Sequence, residues 1–109
     1  MTPYTELSLI ITYPTGRVQL IRQVPALRLL PAGTLISVCL DGLEDDQTVE
    51  SLIYDPEEDM AFVKLRPVAW VSGEADLLAL MVQAESVGWS TFAFNAHLQA
   101  RFMAALRAA

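Results

Sequence analysis

The chain has 109 residues, 53% hydrophobic and 18% charged, with seven Lys or Arg against thirteen Asp or Glu, a net charge of −6. That length predicts a single domain, residues 1–109, able to bury a core without staples, and the apolar content excludes intrinsic disorder. The acidic balance speaks against direct binding to nucleic acid or an anionic membrane, since both draw on phosphate neutralisation by Lys and Arg.

The longest apolar runs, such as "LLALMV" from Leu77 to Val82, fall well short of the roughly 18 residues that span a bilayer. "MTPYTE" lacks the basic start and apolar stretch of a secretory signal. The expectation is therefore a soluble, cytoplasmic protein. Cys39 is the one cysteine, so no internal disulfide can form. Its setting in "LISVCLD" predicts a small buried strand residue.

The first elements form a hairpin. "LSLIITY" and "VQLIRQV" flank "PTGR", with Gly16 supplying the turn. With Tyr13 opposite Val18, one face carries Leu7, Leu9, Ile11, Tyr13, Val18, Leu20 and Val24, with Arg22 as its only charge. Arg22 is expected to snorkel at the sheet edge or to pair with Glu6 or Asp76. "PALRLLPAG" is bounded by Pro25 and Pro31 and predicts a loop. Its Leu27, Leu29 and Leu30 either tuck beneath the sheet edge or join a contact surface.

"TLISVCL" predicts a third strand, and "TVESLIY–DPEED–MAFVKL" a second hairpin. Asp55 and Pro56 suit the first two positions of a type I turn. With Tyr54 opposite Met60, Glu50 falls opposite Lys64 as a cross-strand charge pair. Val49, Ile53, Ala61, Val63 and Leu65 then face the core. Leu52, Tyr54, Met60 and Phe62 line a second face too apolar to be left in water, which either helices or a partner must cover.

After Ser72 the composition turns to Ala, Leu and Gln, predicting two helices. Ser72 or Gly73 caps the first, Glu74 and Asp76 suit its first turn, and Gly88 ends it. Ser90 or Thr91 caps the second, with Phe94, Leu98, Phe102 and Leu106 as its stripe; a short strand at "WSTFAF" is the alternative. The fold class read from the sequence is α+β. An antiparallel sheet of about five strands over residues 5–71 carries two helices, 73–108, on one face.

Between Asp41 and Asp59 lie nine of the thirteen carboxylates and no Lys or Arg. One cluster is Asp41, Glu44, Asp45 and Asp46; the other is Asp55, Glu57, Glu58 and Asp59. At opposite ends of one strand they would lie about 20 Å apart. Neither stretch makes a calcium loop: "DPEEDMAFVKLR" puts Met60 where that loop needs Gly and Arg66 where it needs Glu. Acidic turns commonly just solubilise sheet proteins, and two solvated loops is the plainer reading. The sharper one is a mimic of nucleic acid occupying a basic site on a protein that handles it.

Nor do the residues assemble a catalytic set. His97 is the one histidine, one Cys and one His cannot form a zinc site, and no nucleophile elbow or phosphate loop is present. Ala84 and Gly88, with Phe94 six residues later, echo a helix-turn-helix spacing in which Trp89 would fill the space between the helices, but the second segment offers only Arg101 for DNA. The sequence thus reads as a small non-enzymatic interaction or accessory protein, without cofactor, acting on a protein partner: itself, as a homo-oligomer, or a basic protein. The acidic inhibitor is the first alternative and a divalent-metal module or small enzyme the second. The candidate surfaces are the eight carboxylates of the two clusters and the apolar set Leu52, Tyr54, Met60, Phe62, Leu27 and Leu29.

Overall fold

A computed structural model describes residues 2–108. In chain order the elements are β1 (Tyr4–Tyr13), β2 (Gly16–Val24), β3 (Leu35–Ser37), β4 (Asp46–Asp55), β5 (Met60–Leu65), β6 (Val68–Ala69), α1 (Glu74–Ser86), β7 (Ser90–Ala93) and α2 (Ala96–Ala108). The class is α+β, but the sheet has seven strands and is mixed, in the order β3-β4-β5-β1-β2-β7 with β6 beside β1. The expected five antiparallel strands are corrected because β5 and β6 both run parallel to β1, on the side that β2 leaves open. Alternation along a strand reports which face it buries, not which neighbour it takes.

The first hairpin pairs Tyr13 with Gly16, Ile11 with Val18 and Leu7 with Arg22. Only Pro14 and Thr15 make the turn, while Gly16 and Arg17 join the strand, so the expected register is displaced by two residues. A slip of two preserves faces; Leu7, Leu9, Ile11, Val18 and Leu20 are all buried.

The second hairpin differs more. Asp55 pairs with Met60, Ile53 with Phe62 and Ser51 with Lys64, and the ladder shifts between Val49 and Ser51. Glu50 is the extra residue of a β-bulge, which exchanges faces for everything beyond it. Ile53, expected in the core, is 66% exposed, while Leu52 packs against the core. The charge pair survives the bulge, with Lys64 Nζ 3.3 Å from Glu50. Asp55 Oδ1 accepts from the Glu57 and Glu58 amides, holding the Asp-Pro turn.

Of "TLISVCL" only Leu35–Ser37 is strand. Cys39 is exposed and adopts a left-handed backbone (φ 54°), so it is not the buried strand residue expected. The loop after β2 is tied to Thr5, which is fully buried: its hydroxyl donates to Ala26 O and accepts the Arg28 N–H, both at 2.7 Å.

Gly73 is the N-cap of α1, without a side-chain cap bond, and Gly88 follows the C-cap Val87, its left-handed φ of 103° letting Trp89 N–H reach Ala84 O. The chain then makes β7, the alternative reading of "WSTFAF", rather than entering a helix. α2 begins at Ala96 because Asn95 caps it, accepting Leu98 N–H at 2.9 Å. Leu77, Leu80, Met81 and Ala84 of α1 and Leu98 and Phe102 of α2 share one core with the buried face of β1 and β2. Both helices therefore sit on the same side of the sheet. None among the described residues is long and apolar enough to cross a membrane.

Candidate interaction surfaces

The two acidic clusters flank β4, which begins at Asp46 and ends at Asp55. Ten residues place them on the order of 30 Å apart rather than 20 Å. Among the described residues no three His, Cys, Asp or Glu side chains converge as metal ligands would. The hairpin tip has internal order. Asp59 takes a left-handed backbone (φ 51°), and its carboxylate accepts the Tyr54 hydroxyl at 3.1 Å. That bond, followed by desolvation and then the negative charge of Asp59 and Asp55, raises the Tyr54 phenol above its ordinary pKa.

The predicted apolar surface does not form one face. Leu52 and Tyr54 pair with Val63 and Ala61 on the helix side of the sheet, whereas Met60 and Phe62 lie on the opposite, outer side with Ile53. Leu27 is half-buried in the loop after β2 and Leu29 is exposed. The outer side also carries Ile10 and Ile21, both half-buried, and Phe92 and Phe94, each 51% exposed. No helix covers it. Phe92 and Phe94 meet edge to face at 5.2 Å, and the Arg17 guanidinium lies 5.2 Å from the Phe94 ring. Phe94, expected in the stripe of the second helix, instead precedes α2, which begins at Ala96; its four-residue spacing to Leu98 runs across the end of β7.

The two ends of the sheet are finished differently. Phe94 N–H bonds to Arg17 O, so the alternate residues Thr91 and Ala93 point their N–H groups away from β2. Both amides are met by helix side chains: Thr91 N–H donates to Glu85 Oε1 at 2.9 Å and Ala93 N–H to Gln99 Oε1 at 2.8 Å. Neither Glu85 nor Gln99 was marked by any sequence motif, because each acts on a strand six residues away.

At the other end, β3 pairs only with Asp46–Thr48, and Gly33 and Thr34 extend the contact to Val49. From Ser51 to Asp55, β4 has a neighbour on one side alone. Val49 exchanges its backbone bonds with Gly33 and Thr34, away from β5. Its partner Leu65 therefore belongs to the outward-bonding set of β5, as do Val63 and Ala61. Their partners Leu52 and Tyr54 must likewise turn N–H and C=O to the open edge, where neither finds a partner among the described residues.

A cleft of about 350 Å³ opens between α1 and the loops bearing Asp41 and Trp70, lined also by Gly42, Ser72, Asp76 and Gln83. Asp41 N–H bonds to Gln83 Oε1 and Trp70 Nε1–H to Gly73 O, which fix its walls. His97, which Glu74 or Asp76 could orient only if the helix ends aligned, is exposed on the first turn of α2, and the carboxylate of Glu74 pairs with Arg101. Arg22 takes neither Glu6 nor Asp76 but lies 5.9 Å from the Trp89 ring, and β7 separates the helices that a helix-turn-helix would join directly. No protein-family model, curated protein or solved structure matches the chain.

Proposed function

We propose that this chain is a small non-enzymatic interaction protein that works through protein–protein contacts. One observation carries the reading: both helices pack on one side of the sheet, leaving the other side uncovered with Ile53, Phe92 and Phe94 each at least half exposed. Apolar side chains in such an arrangement mark a contact surface. Polar residues between them, including Gln19 bonded to Ser8 and the Glu50–Lys64 pair, keep it compatible with water when unoccupied.

The test is capture from the native host's lysate with three proteins: wild type, Phe62→Ser/Phe92→Ser, and Asp45→Asn/Asp46→Asn/Glu57→Gln/Glu58→Gln. Each is first checked for native circular dichroism. A stoichiometric partner held by wild type and lost by the outer-face variant is the expected result. Failure to capture any partner, or one held equally by all three proteins, would overturn the reading. Loss confined to the carboxylate variant, with a nucleic-acid-handling partner, would put the acidic mimic in its place.

A further inference from the structure

The two edges of the sheet carry an inference that rests on the interaction reading and specifies its geometry. A row of unpaired backbone groups is a template for another strand, and proteins commonly block it. Here the β7 edge is blocked by Glu85 and Gln99. The Ser51–Asp55 edge of β4 is left open, with the backbone of Leu52 and Tyr54 directed outward. We propose that the partner supplies an extended segment that adds to this edge as a strand antiparallel to β4, with Lys or Arg at its N-terminal end.

Three observations select that occupant. First, strand addition takes affinity from main-chain bonds and specificity from alternate side chains. The edge offers both: outward N–H and C=O groups, and Ile53 on one side with Tyr54 on the other, 66% and 43% exposed. Second, antiparallel addition lays the newcomer's N-terminus beside Asp55. There Asp55, Glu57, Glu58 and Asp59 make no ion pair among the described residues, and Lys64 is engaged with Glu50. A positive end is the complement of that tip. Third, a second copy is the wrong occupant. Antiparallel β4–β4 pairing centred on Ile53 would offer each acidic tip no free positive charge on its mate, whose Lys64 is engaged with Glu50, and would bring together two chains of net charge −6.

The probes are three acetylated seven-residue peptides. One reads Lys-Lys-Val-Thr-Val-Thr-Val, one replaces both Lys with Glu, and one keeps the Lys but is N-methylated at alternate residues. Amide exchange resolved by NMR is read residue by residue on the intact chain. With the basic peptide at about 1 mM, the Leu52 and Tyr54 amides should exchange at least about tenfold more slowly, and Thr91 and Ala93 should not change. The Glu peptide should bind about tenfold more weakly or worse, and the methylated peptide should give no protection.

No slowing at Leu52 and Tyr54, or equal slowing by all three peptides, overturns the proposal. So does slowing that follows protein concentration without peptide, which would seat a second copy on the edge. Lysate capture separates the two levels: a partner captured while the peptide fails sinks the edge alone, and no partner captured sinks the broader reading.

Discussion

Gly42 and Gly88 both hold left-handed backbone, with φ of 93° and 103°, yet their surroundings differ. A Cβ on Gly88 meets nothing within 4 Å, whereas one on Gly42 would lie 2.8 Å from the Trp70 ring. Gly88→Ala should therefore cost only the left-handed penalty, about 1–2 kcal/mol. Gly42→Ala should cost that and the displacement of a buried indole, about 3 kcal/mol in all. Urea unfolding of the two variants checks the order. Tyr54 gives a pH prediction at the same scale. Its folded pKa is raised, so the hydroxyl's bond to Asp59 stabilises the hairpin below the ordinary tyrosine pKa of about 10. That contribution is lost as pH rises through the raised value. Asp59→Asn keeps a residue tolerant of φ 51° but removes the charge. Tyrosinate absorbance should show ionisation at lower pH in the variant, and an unmoved curve would refute the assignment.

Strands and helices show what the sequence makes legible and where it stops. The buried face of the first hairpin was readable because a two-residue slip leaves alternation intact, so Leu9 and Leu20 are core in either register. The second hairpin was not. A bulge has no signature in "TVESLIY", and its one extra residue sends Ile53 outward and Leu52 inward. The strand β7 hid behind the four-residue spacing of Phe94, Leu98 and Phe102, and the capping preference of Asn95 was the available signal that α2 begins later. Of the candidate site, the carboxylates and the Asp-Pro turn could be read directly. The contrast between the edges could not, because Glu85 and Gln99 act through the third dimension. Their role is testable: Glu85→Ala/Gln99→Ala strands two edge amides. The variant should lose about 2 kcal/mol and self-associate as protein concentration rises, as sedimentation velocity would show. A variant as stable and monodisperse as the wild type would remove the capping argument.

At the scale of the whole molecule, a mixed sheet, two helices on one side and an uncovered outer face belong to a chain with carboxylates gathered at both ends of β4. Raising salt should weaken any partner that uses the hairpin tip and spare one that uses Phe92, since exposed charge is screened within about 10 Å at 0.1 M. Titrating binding against salt thus separates the two surfaces without mutation. The parallel pairing of β1 with β5 has a further consequence, in time. Tyr4 waits for Met60 and Ser8 for Lys64, so the first hairpin leaves the ribosome with one edge of its central strand unfilled until the second hairpin has been made. Closing such long-range pairs is slow, and refolding on the order of milliseconds to seconds is expected from stopped-flow Trp fluorescence. During synthesis the nascent β1–β2 hairpin therefore exposes an unpaired strand edge until β5 has emerged.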